Sequence, residues 1–450
     1  MATESGPAPP GASLPAPARA FAGARWFDVL PRRAACPALG DTVLLHAGPP
    51  YPMSHRVTPG AGALLEALPA PVLHAALQAL RFEGMAADDA AARGLIERGT
   101  VTLEPAQDHG VATPLAQVVS ASMPLAAVRC GGAVAFAPLV EGPAPALRFG
   151  ALDPACRDRL SALACWARDE LAPLVRARPV ALDAVIAVAL GQGDECHLRT
   201  AAANEALAAA LADLAPEYRA RLRALPAFVL PVLMAAAAAS LRARGEGIVA
   251  IGGNGVDFGL RWHADCAWRR LPADPPRGLR LPAASAPATL GAIGDSAVID
   301  LCGLGGQALA HAPQLLADWA GVLPADALTR GPALLGATDG IVDPARVVAT
   351  GRGPLIDLAM LDRDGREGLV GRGFYEVPAA LFATPPAAAA CGEAYVRAAL
   401  ALHGYRLDEA QQARVRAQFD VIDGFARTVA ELALDPGDEA LPVFRPWPVA

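Results

Sequence analysis

Residues Ala383-Thr-Pro-Pro-Ala-Ala-Ala-Ala390 set two adjacent prolines and an alanine run between a long upstream chain and a short downstream one. Proline lacks a backbone N–H and restricts the residue before it, so neither a helix nor an inner strand continues through this point. The stretch therefore reads as a linker, 383–390. It divides the 450-residue chain into a large body and a C-terminal module, 391–450.

The body has the means to fold without staples. Hydrophobic residues make up 54% of the chain, enough for a large buried core. Much of that fraction is alanine, which favours helix. Eight cysteines occur, none in a close CxxC pair, so no zinc ribbon or redox motif is indicated and reduced buried thiols are expected. A net charge of -7 with scattered arginines argues against a nucleic-acid partner. Small anions stay open, because one or two arginines suffice to bind a carboxylate or phosphate. The most apolar stretch, 224–240, is interrupted by Pro226 and Pro231 and is shorter than the ~20 residues of a membrane span. It reads as a buried helix, and the chain as cytoplasmic.

The pattern along the chain divides the body. Residues 1–24, rich in Pro, Ala, Gly and Ser, read as a disordered tail. Residues 25–152 carry strand signals at 41–46, 101–103 and 133–138, alternating with helical stretches at 61–68, 72–84 and 87–99. Asp153-Pro154 is a helix start that opens a mainly helical region, 153–245. A strand at 248–251 begins a second Gly-rich α/β region, 246–382. In the module, helices are expected over 393–403 and 409–434. Asp408 and Gln411 have the spacing of a capping box, and Val415, Phe419, Ile422, Val429 and Leu432 form one apolar face that requires a partner surface. The fold class is thus mixed α+β and α/β: a Gly-rich body with a helical middle and a C-terminal two-helix module.

Polar residues embedded in apolar or glycine-rich context mark the candidate site. Gly191-Gln-Gly-Asp-Glu-Cys-His-Leu-Arg199 brings Asp194, Glu195, His197 and Arg199 together, able to do acid–base work or to cap a helix. Asn254 and Gly255 sit in a glycine-rich turn after a strand, suited to a substrate loop or to a tight turn. Asp295 and Ser296 could cap a helix whose N-terminus attracts an anion. His46 and His109 lie at strand ends, and Glu141 and Arg148 complete the set. The spacing matches no standard zinc pattern and no nucleotide-binding loop, so neither metal nor cofactor is called for. A weaker reading gathers His46, His109 and His197 around a metal in an amidohydrolase.

These segments resemble the YlbE-like family of bacterial proteins. The resemblance runs from about Trp26 to Phe382, through Leu44-Leu-His-Ala-Gly-Pro-Pro50, Phe82-Glu-Gly84, Ser122-Met-Pro124, Glu141-Gly142, Leu147-Arg-Phe-Gly150, Gly191-Gln-Gly-Asp-Glu-Cys-His197, Gly253-Asn-Gly255, Gly294-Asp-Ser296 and Gly303 to Gly306. It implies a subunit of an oxamate carbamoyltransferase in allantoin catabolism, moving a carbamoyl group between an oxamate- or oxalurate-like substrate and phosphate alongside other subunits. It also implies that Arg148 and Arg199 grip the anion while Glu195 and His197 position or shuttle protons. Around Gln107-Asp-His109 the family is richer in histidine, which puts the substrate or activity at that place in question. The last 60 or so residues resemble AtzG-like small subunits, through Ala394-Tyr-Val-Arg397, Phe425-Ala-Arg427 and Pro442-Val-Phe-Arg-Pro446. That implies docking on an amidase-signature hydrolase that acts on ureides. Two functions follow as expectations: a carbamoyltransferase-type component of an oligomer, or a non-catalytic scaffold that recruits such a hydrolase.

Overall fold

The computed structural model describes residues 14–51, 65, 67–212, 216–263, 267–282 and 287–383, together with 396, 400, 405, 407–416, 418 and 419. The chain divides into two compact units, residues 1–263 with 268–384, and residues 264–267 with 385–450.

In the first unit the strands are β1 (Arg25–Pro31), β2 (Val43–His46), β3 (Thr102–Pro105), β4 (Pro124–Cys130), β5 (Ala133–Pro138), β6 (Val180–Ala181), β7 (Ile248–Asn254), β8 (Asp257–Trp262), β9 (Arg269–Pro272), β10 (Arg277–Arg280), β11 (Ile293–Gly294), β12 (Leu355–Leu361) and β13 (Leu369–Glu376). They form sheets in the orders β5-β4-β1-β6, β11-β7-β8-β9 and β10-β13-β12, and a parallel pair β2-β3. All pairings in the first three sheets are antiparallel. The body is therefore mixed α and β, with a helical middle inserted between the sheets, and β6 from that middle pairs with β1.

The main helices used below are α1 (Ala70–Phe82), α2 (Asp89–Glu97), α3 (Pro154–Trp166), α4 (Leu182–Gly191), α5 (Ala201–Ala210), α6 (Val229–Ala243) and α7 (Ala297–Leu301). The cap read from Asp153-Pro154 is present: the Asp153 side chain accepts from Ala155 N at 2.8 Å at the start of α3. The apolar stretch 224–240 becomes α6, buried along nearly its whole length. It starts at Val229 after a 3-10 turn, Pro226–Phe228, and Pro231 is tolerated because it falls in the first turn. Alanines make its burial workable. The helix packs on β4 and β5, and small residues are fully buried on both, Ala235, Ala236, Ala237 and Ala239 on the helix and Ala126, Ala127, Ala135 and Ala137 on the strands. Small side chains on both surfaces let helix and sheet approach closely without voids.

One part of the expected tail is ordered. Within 1–24, Ala16–Phe21 is a 3-10 helix with Ala18 and Phe21 fully buried, because the aromatic ring supplies apolar area that the rest of the segment lacks. Residues 1–13, most of 61–68, the linker after 383, most of the helix expected at 393–403 and most of 409–434, with Ile422, Val429 and Leu432, lie outside the described residues. In the second unit the capping box is present: Gln411 N donates to Asp408 Oδ1 at 2.8 Å and Asp408 N donates to Gln411 Oε1 at 2.9 Å. Among the described residues no helix is long and apolar enough to cross a membrane.

A buried carboxyl joins the two sequence halves of the body. Asp295, just after β11, accepts from Gly48 N at 2.8 Å and Gln107 Nε2 at 2.6 Å through Oδ1, and from Thr113 N at 2.9 Å through Oδ2. Gln107 in turn donates to Ile251 O at 2.9 Å and accepts from Ile251 N at 3.2 Å, extending the network onto β7. The chain must come very close here. A Cβ on Gly48 would stand 2.3 Å from Gly253 C, and Gly48 has φ +72°. Gly48→Ala should therefore lower stability by about 2–4 kcal/mol, the sum of a left-handed backbone penalty and a clash that only backbone movement relieves. Gly23→Ala, at φ +74° but with nothing within 4 Å, should lose only about 1 kcal/mol. Urea unfolding of the two variants checks the contrast.

Candidate functional site

Two adjoining cavities open between the loop after α4, the segment before α3 and strand β13. The larger, about 440 Å³, is lined by Arg148, Asp194, Arg199, Thr200 and Arg372 among others. The smaller, about 150 Å³, shares Arg148, Phe149, Thr200 and Arg372 and adds His197 and Ser296. Three arginines and one histidine thus line the two cavities together with Phe149, Leu198 and Leu369.

Arg148 is only 7% exposed and its Nη1 has no hydrogen-bond partner, while its guanidinium stacks 4.5 Å from the Phe149 ring. Burial pulls its pKa down from the usual value, and the charge of nearby Glu141 opposes that. Glu141 Oε1 accepts from Leu147 N at 2.5 Å, which fixes the turn that carries Arg148, and its Oε2 is buried without a partner. Arg372 projects from β13, where it pairs in register with Leu279 and Ala359. Arg199 Nε is likewise buried and unpartnered.

The 194–199 loop is built by its own acids. Glu195 does not line either cavity. Its carboxylate accepts from His197 N at 3.2 Å, from Leu198 N and from Arg199 N at 2.9 Å, so it shapes the loop that presents His197 and Arg199. Burial pushes its pKa up, and these donors pull the other way. Asp194 accepts from Ala203 N at 3.0 Å and so caps the first turn of α5. His197 Nδ1 lies 2.7 Å from Asp300 Oδ2 on α7.

The remaining candidates lie in other settings. Asn254 Oδ1 accepts from Val256 N and Asp257 N at 2.9 and 2.7 Å and its Nδ2 donates to Pro49 O at 2.8 Å, so it shapes the β7–β8 turn that contains Gly255. Asp295 does not cap α7 through its side chain, and neither does Ser296; Asp295 is turned into the network with Gly48, Gln107 and Thr113, whereas Ser296 lines the smaller cavity. His46 is buried, with Nδ1 2.8 Å from Ala47 O, Nε2 unpartnered and the tilted Tyr51 ring centred 4.6 Å away. Burial lowers its pKa to about 4. His109 is half-buried against Glu104 at 2.7 Å. The three histidines of the metal reading therefore have separate surroundings, and among the described residues no group of three His, Cys, Asp or Glu side chains is placed to hold a metal ion.

Sequence reasoning missed Arg372, Asp300 and Asp357. A signal for the two acids was present, since each interrupts an apolar run: Ala-Val-Ile-Asp-Leu in α7 and Leu-Ile-Asp-Leu-Ala-Met-Leu in β12. A charged residue inside such a run is expensive unless it is partnered.

Residues 101–296 match the family described as oxamate carbamoyltransferase subunit AllG. The oxamate carbamoyltransferase subunit AllG of Escherichia coli (strain K12) is 30% identical over 402 residues, spanning 79% of this chain and 91% of that protein. The chain belongs to the AllG family. An uncharacterized protein of the same organism, YahG, is 30% identical over 386 residues, covering 77% of this chain and 78% of its own length. A conserved protein of unknown function from Enterococcus faecalis V583 has a solved structure that aligns with a TM-score of 0.68 at 27% identity, over 82% of this chain and 94% of that one. Residues 395–444 match a different family, described as 1-carboxybiuret hydrolase subunit AtzG-like. Of the cavity residues, Arg148, His197, Arg199, Thr200 and Ser296 fall inside the AllG match, whereas Arg372 falls beyond it.

Burial pushes the Asp295 carboxyl up to about 7 against the pull of its three donors. A folded-state pKa above the unfolded value stabilises fully below the unfolded pKa and is lost as pH rises through the folded one. The stability of the wild type relative to Asp295→Asn should therefore fall as pH rises from about 4 to about 7. Paired urea titrations across that range check the slope, and a flat difference would refute it.

Proposed function

We propose that this chain is a component of ureide nitrogen catabolism in which the arginine-lined cavity binds compact anions for carbamoyl transfer between an oxamate- or oxalurate-like substrate and phosphate. The observation that carries the reading is Arg148, a nearly buried cation that lines the same cavity as Arg372 and Arg199 and whose own buried Nη1 has no hydrogen-bond partner. A buried guanidinium without a bonded counterion is well matched to a carboxylate or phosphate, which it can hold by two parallel bonds. Membership of the AllG family supports the substrate class. His197 and Ser296, on the wall of the smaller cavity, lie where a proton donor or acceptor would meet the reacting group.

The AtzG-like match at 395–444 supports a second role, recruitment of an amidase-signature hydrolase by the C-terminal module. The two roles are compatible in one chain, with the body handling the anion and the module bringing a partner that acts on a related ureide. Other carbamoyltransferase subunits complete the assembly in this reading.

Arg148→Ala and Arg372→Ala should each weaken phosphate and oxamate binding by about 10- to 100-fold, the range of one lost charge-assisted interaction. Calorimetric titration measures this, and unchanged affinities in both variants would remove the cavity from consideration. The assembled complex should release carbamoyl phosphate from oxalurate only when phosphate is present. Deleting residues 391–450 should leave anion affinity unchanged and abolish co-purification with the hydrolase; a complex that survives the deletion would refute the docking role.

A further inference from the structure

Asp300 lies beyond the segment 101–296 that matches the family, and two backbone amides and the His197 imidazole converge on it. It is completely buried on α7. Its Oδ1 accepts from Gly306 N at 2.8 Å and from Asp357 N at 3.0 Å, and its Oδ2 lies 2.7 Å from His197 Nδ1. The 303–306 loop wraps this carboxylate so tightly that a Cβ on Gly305 would stand 2.1 Å from Asp300 Oδ1 and 3.2 Å from His197 Cβ, at φ +53°. The glycine run after α7 thus lets backbone close around the acid and the imidazole together.

A carboxylate in this position acts only as an acceptor, so the proton between the two groups belongs to Nδ1. That leaves Nε2 as the other ring nitrogen of a residue that lines the smaller cavity with Arg148, Arg372 and Ser296. We propose that Asp300 is the positioning residue that holds His197 in its Nδ1–H form, so that Nε2 serves the cavity as the proton-transfer group. The proposal rests on the reading of the cavity as the site of carbamoyl transfer.

Asp357 on β12 supplies the background. It is fully buried and neither of its carboxyl oxygens has a hydrogen-bond partner. Burial, reinforced by the charges of Asp300 and Glu195, pushes its pKa well above the usual carboxylate range.

The chemistry balances without a further reactant. In the direction of phosphorolysis, an oxygen of hydrogen phosphate bonds to the carbamoyl carbon of oxalurate. The C–N bond to the oxamate nitrogen breaks, and its electron pair stays on that nitrogen. Nε2 takes the proton of hydrogen phosphate and gives it to the nitrogen, so carbamoyl phosphate and oxamate form with no net proton release.

The test is nitrogen-15 NMR of histidine-labelled full-length protein, with the His197 signals assigned by their loss in His197→Gln, alongside kinetics of the assembled complex. The wild type should show Nδ1 protonated and Nε2 unprotonated. Asp300→Asn should shift His197 towards the Nε2–H form, lower kcat about 100-fold or more, and leave phosphate affinity within about threefold, because Arg148 and Arg372 still hold the anion. A wild-type His197 protonated at Nε2, or an Asp300→Asn enzyme with the switched tautomer and unchanged kcat, overturns the proposal. Should Asp300→Asn not fold, His197→Gln decides: turnover lost with phosphate bound supports it, and turnover retained overturns it. A wild-type complex with no phosphate-dependent cleavage of oxalurate overturns the carbamoyl reading and the proton transfer with it, while the tautomer still reports separately whether Asp300 holds the ring.

Discussion

The bonds around Asp295 are the constraint on which the body depends. One carboxyl receives the amides of Gly48 and Thr113 and the side chain of Gln107, and Gln107 completes both backbone groups of Ile251 on β7. These partners come from residues far apart in the chain, so the network closes only when the first α/β region and the second are assembled. Glycine at 48 and 253 makes the approach possible, since side chains there would occupy the space of backbone atoms. A buried polar group carries a desolvation cost that only a full set of partners offsets. The correct assembly is thereby set apart from near alternatives that would leave the carboxyl bare.

The cavity follows the opposite principle. Arg148 and Arg199 each keep a buried nitrogen without a protein partner, a local expense that structure elsewhere in the body must support. Three acids near His197 show how such a site is tolerated. Glu195 spends its carboxylate on the loop amides, Asp300 accepts from two amides and faces the imidazole, and the Asp357 carboxyl is buried without a hydrogen-bond partner, its pKa pushed up by that burial. Three neighbouring side chains of one chemical type thus take different tasks because their hydrogen-bond environments differ. The arrangement behind His197 is built by helix α7 and strand β12.

Legibility from sequence followed the range of the interaction. Asp153 capping α3 and the Asp408–Gln411 box depend on residues two or three positions apart, and both were readable. The apolar stretch that became α6 was readable as buried because composition alone demanded it. The Gly191–Arg199 segment was readable as important, but the division of labour within it was not. Glu195 looked like an acid–base group, yet its carboxylate bonds to the loop; Asp194 looked like a local cap and instead caps a helix nine residues on. The ordered turn at Ala16–Phe21 was hidden because one phenylalanine, rather than the segment's average composition, secures it.

From its sequence alone, this protein's mixed α and β character, its helical middle, the resemblance to two families and the placement of Arg148, His197 and Arg199 among the functional candidates were determined. These rest on composition, short-range periodicity and contiguous motifs, which linear order preserves. Tertiary structure decided that Arg372 joins Arg148 at one cavity, that Asp300 stands behind His197, and that Asp295 and Asn254 serve the fold's own backbone. The cavity pairing, the support behind His197 and the Asp295 network join residues tens to hundreds of positions apart, as 103 separate His197 from Asp300. No local pattern encodes such a distance, because the chain reaches it only when burial of the intervening apolar residues brings the segments together.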